Sequence, residues 1–248
     1  PSGGTGLTAY ADAVGIYLAF AVDRCADFSN TCTRWIIGNE KIASLFGKQA
    51  IAMTWDFSEA GILHETVGGF TPAAAYIAKC ILKLPLAGTG YSSQQDAATG
   101  DLANKKIIST DPPYYDNVPY ADLSDFFYIW LRRELKSVYP NLFTTLAVPK
   151  AEELTAFAYR HNGKEGAKKF FLEGMTQAMH LLAEQSHPAF PVTIYYAFKQ
   201  SENDGADGTA STGWETFLDA VLRAGFAVTG TWPFRSEQEI RMRTRDSN

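Results

Sequence analysis

Lys105-Lys106-Ile107-Ile108-Ser109-Thr110-Asp111-Pro112-Pro113-Tyr114 is the stretch whose reading decides the fold. Ile107 to Thr110 reads as a short buried strand of β-branched residues. It ends in an acid, two prolines and an aromatic residue. Asp111 supplies a carboxylate acceptor. Pro112 and Pro113 fix their own φ and lack N–H groups, so the turn is stiff and its carbonyls keep a set direction. Tyr114 offers a flat face for stacking. Such a site suits a planar amine: the carboxylate and a proline carbonyl take its two hydrogens, and the ring clamps its plane.

Downstream of this strand, Asp122 to Ser137 reads as a helix in which Leu123, Phe126, Phe127, Trp130 and Leu131 form a core-facing stripe. Lys164 to Gln185 is a second helix, and Val192 to Phe198 (VTIYYAF) a strand. Gln200 to Ser211 is a polar, glycine-rich loop. Thr212-Gly213-Trp214-Glu215 has capping-box spacing and opens a helix to Ala224, with Gly225 as its stop and Phe226 to Trp232 as the next strand.

Upstream, Thr8 to Ala26 reads as a long apolar helix buried on more than one side, Asn39 to Lys48 as an amphipathic helix and Ala50 to Trp55 as a strand. Thr71 is an expected N-cap, with Pro72 at the first position of a helix to Lys83. Ala87 to Gln94 is a weakly patterned strand ending near Asp96. The division expected is a helical N-terminal part over 1–85, packed on an α/β portion over 86–248 as one compact unit. Strand, helices, strand, helix, strand in the second half points to a mostly parallel sheet with helices on both faces. In such sheets ligands bind at the carboxyl ends of the strands, which is where Asp111 to Tyr114 stand.

A chain of 248 residues with 46% hydrophobic and 20% charged content holds a sizeable soluble core. The longest apolar stretch, Val14 to Val22, is too short to span a bilayer, and no signal peptide is legible. Cys25, Cys32 and Cys80 form no C-x-x-C pair and read as packed thiols in a reducing cytoplasm. His64, His161, His180 and His187 are scattered, so no metal site is expected. The net charge of −5 sits awkwardly with nucleic-acid binding, but local distribution decides. Arg132-Arg133, the Lys164, Lys168 and Lys169 group, and Arg235, Arg241, Arg243 and Arg245 are the candidate phosphate contacts; the lysines read equally as a solvated face.

Asp111-Pro112-Pro113-Tyr114 resembles the Asp-Pro-Pro-Tyr motif of the amino-methyltransferases that methylate the exocyclic amine of adenine in DNA. The flanks Thr110 to Tyr120 (TDPPYYDNVPY) and Asp122 to Arg133 are similar to one subfamily, the large bacterial and archaeal adenine-specific DNA methylases, some of them associated with phage defence. So are Gly6 to Ala11 through Trp55-Asp56-Phe57, Val148 to Leu154, and the tail near Glu237. The resemblance implies a Rossmann-like sheet, S-adenosylmethionine as methyl donor, and DNA with a flipped adenine as partner. Carried over, the side chain of Asp111 and the carbonyl of Pro112 accept from the amine, Pro113 stiffens the turn and Tyr114 stacks on the base. Tyr115, Asn117 and Tyr120 line the base pocket, each with a plain packing or capping role as the alternative. Asp96 and Thr110 stand on the donor side, Asp96 alternatively ordering its own turn.

One departure bears on the donor. The family's glycine-rich donor motif is absent, and Ser2-Gly3-Gly4-Thr5-Gly6 has no strand before it. The expectation is therefore an incomplete methyltransferase sheet, a C-terminal piece of a longer protein that pairs with its remaining N-terminal part or with a second copy. Two further readings stand beside it: a non-catalytic nucleic-acid-binding or scaffolding domain of a defence complex, and the same chemistry on RNA or on a protein amide. Enzymes of the last kind usually carry Asn at the first motif position, which favours adenine here.

Overall fold

The computed structural model describes residues 4–47, 50–84, 90–101, 105–197 and 212–233. Five α-helices dominate them: α1 (Leu7–Phe28), α2 (Phe70–Ile81), α3 (Tyr120–Leu135), α4 (Lys164–Gln185) and α5 (Thr212–Arg223). The strands are short: β1 (Arg34–Ile36), β2 (Lys41–Ala43), β3 (Ser109–Thr110) and β4 (Thr193–Ile194). The chain is thus mixed helix and strand, with two small sheets among the described residues. Contacts divide it into two compact units. The first holds Pro1–Ser93 and Tyr120–Lys150, the second Gln94–Pro119 and Ala151–Asn248. This boundary differs from the one drawn at 85/86: α3 groups with the N-terminal helices, and the chain leaves the second unit just after the motif and returns at Ala151.

In the first unit, small residues let α1 approach its neighbours. Ala19 packs with Leu135 at the end of α3 and with Phe143, while Ala21 and Cys25, four residues apart on one face, pack on Ala73 of α2. The rest of α1 departs from the expectation of burial on several sides: Leu7, Tyr10, Leu18 and Phe20 are exposed, and its buried residues are Ala19, Ala21 and Cys25. The α3 stripe is half-buried at Leu123, Phe126, Phe127 and Leu131, with Trp130 exposed. Phe46 sets its ring against both Phe126 and Phe127, at 5.6 and 5.2 Å. Two stretches that carry the family resemblance meet here. Asp125 of α3 accepts from the Lys150 ammonium at 2.6 Å and from the Val148 N–H at 2.7 Å. Burial pushes the Asp125 carboxyl up, but those two donors outweigh it and hold it below the usual carboxylate value.

The helix expected over Asn39 to Lys48 does not form. Glu40 adopts a left-handed conformation (φ 45°), which breaks a helix, and Lys41–Ala43 pairs antiparallel with Arg34–Ile36 instead. That pairing buries the β-branched Ile42. No strand forms over Ala50 to Trp55 either. Its tie to the fold is a side-chain bond, Thr54 Oγ1 donating to the Cys32 carbonyl at 3.0 Å, and Trp55 is exposed. α2 begins at Phe70 with Gly69 before it, two residues ahead of Pro72 as first position; a proline is tolerated there because first-turn N–H groups have no intrahelical acceptor. Cys80 is exposed, so it departs from the packed-thiol expectation, whereas Cys25 is buried and Cys32 intermediate.

Asp23 on α1 carries an unusual charge load. One carboxylate oxygen is buried with no hydrogen-bond partner. Burial, with Glu134 of α3 adding repulsion, raises its pKa to about 7. A carboxyl whose folded pKa exceeds its unfolded value binds its proton more tightly in the folded state. Stability is therefore greatest below the unfolded value of 3.8 and falls as pH rises toward about 7. Asp23→Asn is expected to flatten that slope and to gain about 2 kcal/mol at pH 8, the full shift being discounted for partial solvent contact. Denaturant midpoints of both proteins at pH 5 and pH 8 measure it; equal slopes with pH contradict it.

The second unit is built on α4 and α5. Phe171, Met175 and Met179 recur at every fourth position of α4 and meet Phe217, Ala220, Val221 and Ala224. Gly225 stops α5 as its sequence position implies, at φ +91°. β3 and β4 run parallel, Ser109 opposite Thr193 and Thr110 opposite Ile194. Four bonds fix this register: Lys106 N–H to the Gln185 carbonyl (3.0 Å), His187 N–H to Lys106 (2.8 Å), Thr193 N–H to Ile108 (3.1 Å) and Tyr195 N–H to Thr110 (2.8 Å). The strands expected over 192–198 and 107–110 are thus present in shortened form. Phe226 to Trp232 forms no strand, and the described part of the Ala87 to Gln94 stretch, 90–94, forms none. The 200–211 loop lies outside the described residues. Among the described residues no helix is long and apolar enough to cross a membrane.

Candidate active site

The motif begins where the parallel pair ends. The bond from Tyr195 N–H to the Thr110 carbonyl is the last across the two strands, and the next residue, Asp111, is exposed at the carboxyl end of β3. Pro112 is buried and Pro113 half-buried, so the carboxylate projects from an anchored turn. Prolines suit this point because the chain leaves the ladder and no N–H is needed.

Tyr114 is half-buried, and its ring meets that of Tyr196 almost at right angles, with centroids 5.7 Å apart. Tyr196 is fixed in turn. It stacks on Phe217 at 3.9 Å and 7°, lies 6.0 Å from Trp214, and its hydroxyl accepts the Tyr115 N–H at 3.2 Å. The end of β4 and the start of α5 therefore grip the motif turn from its far side. Gly213 shows how closely: a Cβ there would stand 3.0 Å from the Cβ of Tyr115.

The other residues named from the sequence are placed unevenly. Tyr115 turns into the core, its ring 5.0 Å from Phe171 at 75° and its carbonyl accepting the Ala156 N–H at 2.6 Å. Burial, with the charges of Asp116 and Glu165, pushes its phenol above the ordinary tyrosine value. Packing thus describes Tyr115 better than a base pocket does. Asn117 is half-buried at the end of the turn over 115–117. Tyr120 opens α3 and belongs to the first unit.

On the donor side, Asp96 Oδ1 accepts the Ala98 N–H at 2.8 Å, and its carbonyl accepts from Thr99 and Gly100. It closes its own turn. Gln177 and Gln185 of α4 hold that turn through the carbonyls of Ala98 and Gly100. Gly100 is needed by the turn: a Cβ there would meet the Asp96 carbonyl at 2.8 Å. Thr110 is half-buried and spends its backbone carbonyl in the parallel pair. Asp96 and Thr110 thus each have a backbone or turn role in the described fold.

Of the candidate phosphate contacts, Lys164, Lys168 and Lys169 are exposed on α4, Lys169 standing 3.9 Å from Glu173. The four arginines from Arg235 to Arg245 lie outside the described residues. Among the described residues no group of histidine, cysteine and acidic side chains is placed to hold a metal. A cavity of about 410 Å³ opens between α4 and α5, lined by Leu172, Thr176, Gln177, His180 and Arg223 among others, with no motif residue in its wall.

Tyr196, Phe217 and Trp214 are the site residues that sequence reasoning did not single out. The signals were present. Alternation along Val192 to Tyr196 puts Tyr196 on the face of Ile194, and both join the core. Trp214 and Phe217 are three apart on α5 and share a face.

No family model, no curated protein and no solved structure matches this chain.

Proposed function

We propose that this chain carries the target-base half of a DNA adenine N6-methyltransferase on a Rossmann-like sheet, with S-adenosylmethionine as the donor its motif resemblance implies. One observation carries the reading. An exposed carboxylate, a buried proline and a laterally braced tyrosine follow one another at the carboxyl end of a parallel strand. The chemistry suits adenine. The lone pair of its exocyclic nitrogen is delocalised into the ring and is a poor nucleophile. Acceptors on both hydrogens, the Asp111 carboxylate and the Pro112 carbonyl, pull the nitrogen toward a tetrahedral shape and localise the pair. Tyr114 fixes the plane of the base, which must be unpaired or flipped to reach it. Asp111 also takes the proton that the amine sheds.

The amine can be tested apart from the donor. A single-stranded oligodeoxynucleotide with one adenine is expected to bind the full chain about tenfold more tightly than the same strand carrying purine, which lacks only the amine. Equal affinities would exclude an amine-holding role. The absence of the family's glycine-rich donor motif from the sequence motivates a second reading, a nucleic-acid-binding domain without catalysis. Incubation with methyl-labelled S-adenosylmethionine separates the two: label on adenine N6 supports the first, and adenine preference without label supports the second.

A further inference from the structure

We infer that Tyr196 is the positioning residue that sets the Asp111–Tyr115 turn, and that through it the packing of α5 controls how Tyr114 is presented. The functional consequence rests on the proposed amine-holding role; the structural one does not. Three of the contacts of this side chain carry the inference. Its hydroxyl accepts the Tyr115 N–H at 3.2 Å, its ring stands perpendicular to Tyr114 at 5.7 Å, and it lies flat on Phe217 at 3.9 Å. The first two touch consecutive residues of the turn, one through the backbone and one through the ring. The third ties both to α5, whose Phe217, Ala220 and Val221 are buried in the core. Along the chain, Tyr196 follows the residue whose N–H makes the last bond to β3, so one strand end fixes both the start of the motif and its exit.

The geometry separates two jobs in one side chain. The hydroxyl holds the backbone of the turn, and the ring holds the plane of Tyr114. Tyr196→Phe removes the first and keeps the stack on Phe217; Tyr196→Leu removes both. A residue needed only for stability would act through α4 and α5 as a whole. A positioning residue acts on the turn while those helices keep their protection.

Native-state hydrogen exchange of the full chain reads this directly. Tyr196→Phe is expected to speed exchange of the Tyr115 amide about tenfold with amides in the middle of α4 and α5 unchanged. Where the chain turns over adenine-containing oligonucleotide with S-adenosylmethionine, the same variant is expected to lower kcat about tenfold with KM for the donor unchanged, and Tyr196→Leu to lower kcat further. Unchanged exchange at Tyr115 overturns the inference, and so does an equal rise across both helices. Absence of turnover in the unmodified chain counts against the proposed function alone, because the exchange result still decides the role of Tyr196.

Discussion

Asp111→Ala is expected to lower methyl transfer to adenine by at least about a hundredfold and to erase the preference for adenine over purine, with the fold unchanged. The magnitude follows from what the carboxylate does. In the proposed reaction it is a charged acceptor for the amine that gains positive character as the nitrogen is alkylated, and removing one such fixed partner costs roughly 10²–10³ in rate. The variant is cleanly interpretable because Asp111 is exposed, with its neighbour Pro112 holding the turn in the core. Stability should change by less than about 0.5 kcal/mol, as for an ordinary surface position. Asp111→Asn keeps the shape and one carbonyl acceptor but replaces the other by a donor, so it should fall between the two. Methylation assays and the adenine-against-purine binding comparison provide the readouts. An Asp111→Ala protein that retains both would remove Asp111 from the mechanism.

Phe171→Ala should cost about 4 kcal/mol, near the upper range for a buried aromatic. Phe171 is 0% exposed at the centre of the α4–α5 cluster, between Ala167 and Met175 on its own helix. Few small movements can fill the space it leaves, since Phe217, Ala220 and Val221 on the facing helix are themselves buried. The loss reaches the motif as well. The Tyr115 ring rests on Phe171 at 5.0 Å, so truncation removes the floor under the residue that follows Tyr114. Denaturant unfolding followed by circular dichroism of the helices measures the effect. A cost below about 1 kcal/mol would mean that the cluster repacks freely and does not support the turn.

The helices were the most legible part of the chain because their signal is local and repeats. Lys164 to Gln185 is found with the bounds read from its periodicity, and α5 with its start and its glycine stop. Strands were less legible because a strand is completed by a partner elsewhere. Phe226 to Trp232 has the composition of a strand but no ladder bonds, whereas Lys41–Ala43, read as helix, pairs with Arg34–Ile36. The motif end of the candidate site was legible because Asp111, Pro112, Pro113 and Tyr114 are consecutive. Its support was not, since Tyr196 and Phe217 lie far along the sequence and only the fold brings them to Tyr114 and Tyr115. For Asp96 the sequence left a ligand contact and a turn-ordering role side by side, and its bond to the Ala98 N–H shows the second.

The interleaving of the two units has a consequence for the order in which the protein is made. The first unit is complete once Lys150 has been synthesised, whereas the second has by then only residues 94–119. Its core helices α4 and α5 and the partner strand of β3 all come later. During synthesis the prolines and tyrosines of the motif therefore wait, without their lasting partners, while some further 70 or more residues emerge, and pairing β3 with β4 must close a loop of roughly 80 residues. Unpaired strand edges and apolar residues in that interval are the ordinary route to aggregation. Slow translation through α4 and α5, or a chaperone acting after the first unit has closed, should therefore govern the yield of native protein more than any event in the first unit.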